Sequence, residues 1–337
     1  MKVAMWYNNR DIRIEDVPTP EAGPGQLLVK VEACGICGSD IVEWYRLPRA
    51  PLVQGHELGG VVVRAGEGVE GFKPGDRVFV PPKVPCMRCR YCQEGHHPVC
   101  GRVPDRTPGG FAEYIQVPEA VVKNGVLALP DEVGFDQATF IEPLACAVRS
   151  QRLAGVKAGQ KVLVMGCGMS GLLQVKLAKQ KGCEVVATDI SDSRLELAAS
   201  FGAEVAINAR EDVPTLLGDR KADVLILCTS AMPAIDQAWS CLDKGGSMVF
   251  FAVPGPDKDV RVPINSFWTR EIRIITTYYC APGDMAEALA LIRSGAILVN
   301  DLITHRLPLE RIEEGFALVL DGSESLKVII KPWGLEE

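Results

Sequence analysis

Residues 161–189, KVLVMGCGMSGLLQVKLAKQKGCEVVATD, place glycines at 166, 168 and 171 in GxGxxG spacing. The glycines follow a β-branched stretch that predicts a strand, and they open an apolar-periodic stretch that predicts a helix. The next predicted strand ends at Asp189. GxGxxG alone is a weak signal, but strand, glycines, helix, strand and acid in this order are typical of a βαβ unit that binds a dinucleotide. We therefore predict a parallel α/β sheet here.

Each glycine has a physical task in such a unit. Gly166 permits the tight turn after the strand, Gly168 lets the backbone approach a pyrophosphate, and Gly171 allows the helix and strand to pack closely. The peptide N–H groups of Met169 and Ser170, at the start of the helix, would face the anion and be aided by the helix dipole. These five residues are the predicted pyrophosphate site.

Asp189 and Arg194 bear on the choice of cofactor. Asp189 lies about twenty residues beyond the glycines, where a carboxylate accepts hydrogen bonds from the adenosine ribose hydroxyls and repels a 2′-phosphate. This position favours NAD over NADP. Arg194 either flanks the adenine or is a solvated residue on a helix surface.

The remaining chain predicts a second kind of domain. A length of 337 residues exceeds the usual size of one core, so about two domains are expected. Up to about residue 130, short strands such as QLLVKVEAC and GGVVVRAG are separated by Gly and Pro, which predicts an all-β, barrel-like domain. From about residue 150, strands and helices alternate, as in a parallel sheet with crossover helices. The tail ends in a strand-like LKVIIKP, which we expect to return to the first domain.

Composition excludes several classes of partner. The chain is 47% hydrophobic and 23% charged, which is ordinary for a globular protein. Its formal net charge of −7, without a Lys/Arg cluster, argues against nucleic acid. We find no secretory leader and no run of about 18 apolar residues, so we expect a cytoplasmic protein without membrane contact.

Clustered cysteines predict a closed metal site. In a chain of this length with no predicted secretory leader, clustered Cys are more typical of metal ligation than of disulfides. Four thiolates within so few residues can complete a tetrahedral zinc site with no open position, which is typical of structural zinc. An iron–sulfur cluster is the main competitor, but the last spacing is too long for the ferredoxin run. In VPCMRCRYCQEGHHPVC the predicted ligands are Cys86, Cys89, Cys92 and Cys100, with His96 and His97 as surface residues.

A second, dispersed constellation predicts an open metal site. It consists of Cys37 in ACGICGSD, His56 and Glu57 in QGHELGG, and Glu142 in IEPLA. A thiolate, an imidazole and a carboxylate can hold zinc and leave a position for water or a substrate oxygen. Glu57 is hard to explain otherwise, because an unpaired buried carboxylate is costly.

Taken in order, these motifs resemble the zinc-containing medium-chain alcohol dehydrogenase family, and within it the sorbitol and threonine dehydrogenase branch. The resemblance rests on CGICGSD, GHELGG, the four-Cys segment, GGFAEY, the EP dipeptide at Glu142 and GCGMSG. It implies an α/β protein with a GroES-like β-barrel catalytic domain and a Rossmann domain with a doubly wound parallel sheet. The expected bounds are 1–149 for the catalytic domain, with a structural zinc lobe at about 84–102, then 150–280 for the NAD-binding domain and 281–337 for the return.

The resemblance also implies an activity and a set of roles. Two Zn²⁺ are expected, one structural and one catalytic, the latter held by Cys37, His56 and Glu142, with Glu57 ligating or closely approaching it. Ser39 matches the Ser or Thr that hydrogen-bonds the substrate hydroxyl. Zinc would act as a Lewis acid, Ser39 would relay the proton, and hydride would pass from a secondary alcohol or polyol to NAD. Members are usually dimers or tetramers, so we expect a homodimer or homotetramer in contact through a strand edge of the Rossmann domain.

Two positions depart from the pattern. Val42 replaces the His that finishes the proton relay in many relatives, and Tyr278 stands where sorbitol dehydrogenases commonly carry Arg. Trp44, Phe111 and Tyr279 are candidates for the substrate pocket. The alternatives are a threonine dehydrogenase-like oxidation of a hydroxy amino acid, a zinc-free reductase, and a non-catalytic zinc protein. A zinc-free reductase would normally lack Cys37, GHE and the four-Cys segment, all of which are present.

Overall fold

The chain divides into two units in a computed structural model that describes residues 1–335. The first unit consists of residues 1–145 and the chain from Cys280 onward. The second unit consists of residues 146–279. The two metal constellations fall in the first unit and the glycine turn falls in the second.

The first unit is built mainly from antiparallel strands. The largest sheet has the strand order β15-β16-β3-β5-β6-β8, with β7 also paired to β3, and a smaller sheet has the order β2-β1-β4. The elements of its amino-terminal part are β1 (Lys2–Asn8), β2 (Asp11–Asp16), β3 (Leu27–Gly35), α1 (Glu43–Arg46), β4 (Leu52–Val53), β5 (Glu57–Ala65), β6 (Arg77–Val80), α2 (Arg90–Gln93), β7 (Tyr114–Val117), α3 (Glu119–Asn124), β8 (Leu127–Ala128) and α4 (Phe135–Ala138).

Strand β3 shows why this sheet forms and how it positions the site. Its alternate residues Leu27, Val29 and Val31 are fully buried, as expected of a strand with one face on the core. β3 pairs antiparallel with β5, and the register sets Gly35 opposite Glu57. This register brings the turn that follows β3 next to the start of β5.

The second unit has the parallel sheet predicted from the sequence. All its strand pairs are parallel and the strand order is β11-β10-β9-β12-β13-β14, the doubly wound order 3-2-1-4-5-6. The elements are α5 (Ile141–Ala154), which begins in the first unit, β9 (Lys161–Met165), α6 (Met169–Gln180), β10 (Glu184–Asp189), α7 (Asp192–Ser200), β11 (Val205–Asn208), α8 (Val213–Leu217), β12 (Ala222–Leu227), α9 (Met232–Cys241), β13 (Leu242–Phe250), α10 (Ile264–Trp268) and β14 (Arg273–Thr276).

The carboxyl-terminal segment completes the sheet of the first unit. Its elements are α11 (Pro282–Arg293), β15 (Ile303–Pro308), α12 (Ile312–Asp321) and β16 (Lys327–Lys331). β16 pairs antiparallel with β3, with Ile330 opposite Cys34, and parallel with β15. The tail therefore lies directly beside the strand that leads to Cys37.

The longest described helix, α5, has 14 residues, fewer than the roughly 20 that a membrane span requires. Within residues 1–335, no helix has the length and apolarity to cross a bilayer.

Asp136 in α4 ties the carboxyl-terminal segment to the rest of the unit. Its carboxylate accepts from Arg306 Nε at 2.6 Å and from Lys331 Nζ at 2.9 Å. Burial acts to raise the pKa of Asp136, but the hydrogen bonds and charges of Lys331 and Arg306 outweigh it and lower that pKa. Both cations come from the returning strands, so the contact fastens β15 and β16.

We expect Asp136→Asn to lower the stability of the protein by about 1 kcal/mol at pH 7, discounted for partial exposure. Because the folded pKa is lowered, this stabilisation is complete above the unfolded pKa of about 4 and is lost as the pH falls through the folded value. Urea denaturation of both proteins at pH 7 and at about pH 3 measures the difference. Asp131→Asn, at a fully exposed side chain, is the control and should change little. A difference that persists at low pH contradicts the assignment.

Candidate metal and dinucleotide sites

The structure brings Cys37, His56 and Glu57 together. One ligand atom of each lies within 4.8 Å of the others. Cys37 stands in the turn after β3, while His56 and Glu57 stand at the start of β5, so the strand register described above creates the group. The Cys37 sulfur also accepts from the Ser39 peptide N–H at 3.4 Å.

Asp40 is a functional residue that sequence reasoning missed. Its fully buried carboxylate accepts from the Cys37 peptide N–H at 3.0 Å and lies 3.3 Å from His56 Nδ1. A carboxylate behind a ligating His fixes the orientation of the ring and raises its basicity. The available signal was an acid three residues after a candidate Cys ligand, in CGSD.

Arg46 is a second residue that was missed. It donates from Nε to the Ser39 carbonyl at 3.0 Å, and from Nη2 to Ser39 Oγ at 2.9 Å and to Asp40 Oδ1 at 2.9 Å. One guanidinium therefore fixes both the predicted relay residue and the carboxylate behind His56. Nothing in the local sequence marks this role, because the contacts depend on how α1 folds back.

The electrostatics of the group favour positive charge at its centre. Burial acts to lower the pKa of His56, but the Asp40 carboxylate and the Cys37 thiolate outweigh it and raise that pKa well above its usual value. Burial raises the pKa of Cys37, and the Glu57 carboxylate raises it further. The Asp40 carboxylate therefore stabilises a proton on His56. A metal cation there would meet the same field.

Glu57 forms a fully buried ion pair with Lys327 of β16, in which Lys327 Nζ donates to Glu57 Oε2. Lys327 Nζ also lies 5.2 Å from the centre of the Phe140 ring. The other carboxylate oxygen, Oε1, is buried and has no hydrogen-bond partner among the described residues. Sequence reasoning missed Lys327, which is 270 residues from Glu57 along the chain.

The group fits a zinc ion on its own chemistry. A buried carboxylate oxygen without a partner costs free energy unless a donor or cation satisfies it. Glu57 belongs to the same group as a thiol and an imidazole, the donor types that zinc prefers. The residues present therefore suit an open zinc site.

Glu142 lies in a different group from Cys37 and His56. It begins α5, and its carboxylate is within 4.8 Å of the Cys280 sulfur in the first unit. Glu142 is 4% exposed, so the helix start carries a buried acid in this unit.

The four-Cys segment forms a compact sulfur cluster. The sulfurs of Cys86, Cys89, Cys92 and Cys100 all lie within 4.8 Å of one another. Cys89 Sγ is 3.5 Å from Cys92 Sγ and 3.8 Å from Cys100 Sγ. Zinc–sulfur bonds of about 2.3 Å in a tetrahedron put sulfurs about 3.8 Å apart, so the cluster fits zinc.

Backbone N–H groups support the charged form of these thiols. The Cys89 N–H donates to Cys86 Sγ at 3.3 Å, and the Arg102 N–H donates to Cys100 Sγ at 3.4 Å. Backbone hydrogen bonding, chiefly from Arg88, lowers the pKa of Cys86 to about 6. Burial raises the pKa of Cys92 to about 12. The pKa shifts of Cys86 and Cys92 therefore have opposite directions. A bound cation would hold all four cysteines as thiolates.

The glycine turn has the geometry that the sequence predicted. Gly166 has φ +94°, a left-handed conformation that favours glycine. A Cβ on Gly171 would lie 1.8 Å from the Gly166 carbonyl oxygen, so only glycine allows this close packing. A Cβ on Gly168 would meet nothing within 4 Å. The open space at Gly168, directly before Met169 and Ser170 at the start of α6, fits the approach of a pyrophosphate.

Asp189 lies at the carboxyl end of β10, beside the glycine turn. Its Oδ2 accepts from the Cys167 N–H at 2.6 Å and its Oδ1 accepts from the Ser191 N–H at 2.9 Å. These bonds fix the carboxylate and leave lone pairs for ribose hydroxyls. Burial raises the pKa of Cys167, as does the Asp189 carboxylate, whereas Arg194 is near enough to lower it. Arg194 therefore lies in electrostatic range of the turn.

The pocket candidates have different environments. Phe111 is buried in the core of the first unit, with its ring centre 5.9 Å from that of Phe316. Trp44 is 50% exposed and packs edge-on against Tyr45. Of these two side chains, the structure leaves Trp44 accessible and assigns Phe111 to packing.

Comparisons with known proteins agree with both halves of the chain. Residues 23–131 match the family described as alcohol dehydrogenase GroES-like domain, and residues 171–294 match the family described as zinc-binding dehydrogenase. Sorbitol dehydrogenase from Gallus gallus is 34% identical over 95% of this chain and 93% of its own length.

Solved structures show the same fold. The 2R,3R-butanediol dehydrogenase of Bacillus subtilis superposes with a TM-score of 0.85 at 30% identity, covering 98% of this chain and 99% of that one. A protein from Sinorhizobium meliloti described as a zinc-binding dehydrogenase, bound to NADP, has a TM-score of 0.87 at 30% identity, with the same coverage.

Proposed function

This chain belongs to the zinc-dependent alcohol dehydrogenase family, in its sorbitol dehydrogenase branch, and we propose that it oxidises a polyol or another secondary alcohol to the ketone with NAD. The predicted fold class, a GroES-like domain with a Rossmann domain, is confirmed. The single observation that carries the proposed chemistry is the group of Cys37, His56 and Glu57, in which one buried Glu57 oxygen has no hydrogen-bond partner among residues 1–335. The relatives do not favour the hydroxy amino acid or non-catalytic alternatives.

We infer that two zinc ions bind per chain. Cys86, Cys89, Cys92 and Cys100 would hold the structural ion. Cys37 and His56 would hold the catalytic one, with Glu57 near it and Glu142 as the remaining proposed ligand. When bound there, zinc supplies a Lewis acid that lowers the pKa of a substrate hydroxyl.

Residues around the site prepare the proton transfer. The Ser39 hydroxyl accepts one hydrogen bond from Arg46, which leaves a lone pair to accept the substrate proton and its own hydrogen to donate onward. The Arg46 guanidinium offers donors and no acceptor, so it positions Ser39 without accepting the proton itself. The neutral Val42 cannot extend the relay. The onward acceptor is therefore the cofactor ribose or water.

The second unit supplies the cofactor site of this proposal. The open backbone at Gly168 and the start of α6 would bind the pyrophosphate, and the fixed carboxylate of Asp189 would bind the ribose hydroxyls. A 2′-phosphate at Asp189 would meet a negative charge, which supports NAD over NADP. When bound there, the cofactor would supply the hydride acceptor, its nicotinamide ring.

The proposed reaction is tested by nicotinamide absorbance with the purified, zinc-loaded protein. NAD and NADP are compared against polyols, secondary alcohols, diols and threonine. We expect NAD-dependent turnover of one alcohol class and loss of that turnover in Cys37→Ser. Turnover of threonine alone would show that the protein oxidises a hydroxy amino acid instead. A preference for NADP would refute the role proposed for Asp189.

The contacts of Arg46 predict that replacing this residue lowers kcat. We expect Arg46→Met to lower kcat about 10- to 100-fold, as for other residues that orient groups at a metal site, with a smaller change in KM. Arg46→Lys should restore little, because one ammonium cannot reproduce three bonds from a planar fork. Steady-state kinetics with zinc analysis measures this, with Arg13→Met, at an exposed arginine, as control. Equal kcat in Arg46→Met and the wild type would exclude the role.

We propose that a second copy of this chain pairs at β14. This strand is the last in the order of the parallel sheet, so its outer edge has no strand neighbour within residues 1–335. Apolar side chains are exposed on β14 and on α10, which precedes it in the chain, with Ile274 at 42%, Trp268 at 81% and Ile264 at 65%. Exposed apolar residues and an open strand edge both favour association. A homodimer or homotetramer is the expected assembly.

We expect Trp268→Lys combined with Ile274→Lys to shift the protein towards monomers, because two charges would be buried at the interface. Sedimentation velocity at micromolar concentration measures the change. Leu335→Lys, at a half-exposed residue of the first unit, is the control and should leave the assembly intact. An unchanged oligomer in the double variant would place the interface elsewhere.

We also propose a cytoplasmic location. All twelve cysteines are without a disulfide, and both proposed zinc sites need reduced thiols, which a reducing compartment preserves.

A further inference from the structure

The segment that carries Ser39 has no regular secondary structure to hold it. Residues 36–42 join β3 to α1 and belong to neither a strand nor a helix. Within residues 1–335, no backbone N–H donates to the carbonyl oxygens of Ser39, Asp40 or Ile41. Carbonyl groups that are shielded from water need a donor, because an unpaired buried acceptor costs free energy. The donors in this segment must therefore be side chains.

Three separate parts of the chain supply those side chains. They are α1, the residues directly before β5, and the turn between β1 and β2. The bonds run from Arg46 Nε to the Ser39 carbonyl at 3.0 Å, from Gln54 Nε2 to the Asp40 carbonyl at 3.3 Å, and from Asn9 Nδ2 to the Ile41 carbonyl at 2.8 Å. A bonded carbonyl restricts the ψ angle of its own residue, so three bonds in a row set the directions of the side chains along this segment.

Asn9 is itself fixed on two sides. Its Oδ1 accepts from Nε1 of the buried Trp6 at 3.2 Å, while its Nδ2 donates to Ile41. Its peptide N–H donates to Glu43 Oε1 at 3.0 Å, and Glu43 is the first residue of α1. Asn9 therefore connects the turn between β1 and β2 both to Ile41 and to the helix that carries Arg46.

Gln54 is buried, at 3% exposure, two residues before His56. Its own carbonyl accepts from the Phe111 N–H at 2.9 Å. Its side-chain Oε1 is buried and has no hydrogen-bond partner among residues 1–335. A buried amide with one unpaired oxygen gains little stability over an apolar side chain of the same shape. What the Gln54 amide does supply is the bond to Asp40.

We propose that Asn9 and Gln54 are positioning residues for the proposed reaction. They hold the backbone of residues 39–41, so that the Ser39 hydroxyl meets the substrate proton and the Asp40 carboxylate stays behind His56. This inference rests on the proposed function, because the orientation of the Ser39 hydroxyl matters to turnover only if Ser39 takes part in it. A group misplaced by about 1 Å at a reacting centre can cost about 100-fold in rate, so a looser segment lowers kcat.

The first test replaces the Gln54 amide by an apolar side chain of similar length in the zinc-loaded protein. Gln54→Met leaves the Asp40 carbonyl unpaired but also removes the unpaired Oε1, so Tm should stay within about 3 °C of the wild type. We expect kcat to fall about tenfold and KM to change less than about threefold. Gln116→Met is the matched control, because Gln116 Nε2 donates to the Glu21 carbonyl at 2.6 Å outside the site. A lower Tm with unchanged kcat would show a purely structural role and overturn the inference.

The second test removes only the donor of Asn9. Asn9→Asp keeps an oxygen for Trp6 Nε1 but has no N–H for the Ile41 carbonyl, so we expect kcat to fall about tenfold. Asn124→Asp adds the same charge and removes an equivalent bond, from Asn124 Nδ2 to the Ala120 carbonyl at 2.9 Å in α3. This control should keep the kcat of the wild type. Equal kcat in Asn9→Asp and Asn124→Asp would refute the role of Asn9.

A double-mutant cycle shows whether Asn9 acts through Ser39. In the Ser39→Ala background the hydroxyl to be positioned is absent, so adding Asn9→Asp should lower kcat less than about threefold. The same tenfold loss in both backgrounds would show that Asn9 acts independently of Ser39 and would contradict the proposal.

Hydrogen exchange followed by mass spectrometry gives a readout without turnover. The Cys37 and Ser39 N–H groups bond within the segment, and these amides should exchange about tenfold faster in Gln54→Met and Asn9→Asp than in the wild type and the two controls. If the wild type oxidises alcohols and both variants keep its kcat, the inference fails and the dehydrogenase stands. If no alcohol is oxidised, the proposed function fails, and unchanged exchange would then also refute the holding of residues 39–41.

Discussion

Cys37→Ser is expected to lower kcat about 1,000-fold and to reduce bound zinc from two ions per chain to one. A Lewis acid contributes several kcal/mol of transition-state stabilisation, and each 1.36 kcal/mol corresponds to tenfold in rate. Cys37 also forms two hydrogen bonds within the site. Its sulfur accepts from the Ser39 N–H, and its own N–H donates to the Asp40 carboxylate. Serine keeps these backbone contacts but removes the thiolate that binds zinc.

Zinc content by elemental analysis and steady-state rates measure this effect together. Cys183→Ser is the control, because Cys183 is a buried cysteine of the second unit whose thiol donates to the Lys157 carbonyl at 3.4 Å and which belongs to neither proposed zinc site. The control should retain two zinc ions and nearly full activity. A Cys37→Ser protein that keeps both ions and its turnover would exclude Cys37 as a ligand.

Lys327→Met is expected to destabilise the protein by about 3–5 kcal/mol, because it leaves the buried Glu57 carboxylate without its counter-charge. Both side chains of the pair have 0% exposure. For a unit of this size, the loss corresponds to a fall in Tm of about 6–20 °C. Thermal unfolding of the zinc-loaded protein, followed by circular dichroism, measures it.

Lys331→Met is the control for this change. Lys331 lies at the end of the same strand, β16, but its pair with Asp136 is partly exposed, so the expected loss is about 1 kcal/mol. Lys327→Met combined with Glu57→Gln should be less destabilising than the sum of the single changes, because each single change leaves the other charge buried and unpaired. Additive losses, or a fall in Tm no larger than that of Lys331→Met, would refute the coupling.

Local motifs allowed much of the site to be predicted. Gly166, Gly168 and Gly171 occupy one turn, so their spacing determines their geometry. The four-Cys segment lies within fifteen residues, Cys86 to Cys100, and its short spacings suffice to bring the sulfurs together. Strand and helix periodicity likewise predicted the parallel sheet.

Contacts between distant segments could not be predicted in this way. Asp40 approaches His56 only because β3 and β5 pair with Gly35 opposite Glu57. Arg46 reaches Ser39 only because the segment after Cys37 folds back on itself. The sequence showed an acid in CGSD and an arginine in WYRLPR, but no periodic signal connected them to the site.

By itself, the sequence determined the family, the glycine turn and the group of four cysteine sulfurs, because these depend on residue type at short spacing. The tertiary structure decided that Lys327 neutralises Glu57, that Glu142 lies beside Cys280, and that Lys83 lies opposite Arg106. These pairs are set by strand register and by chain reversal, since burial and charge pairing select partners by distance in space and not along the chain.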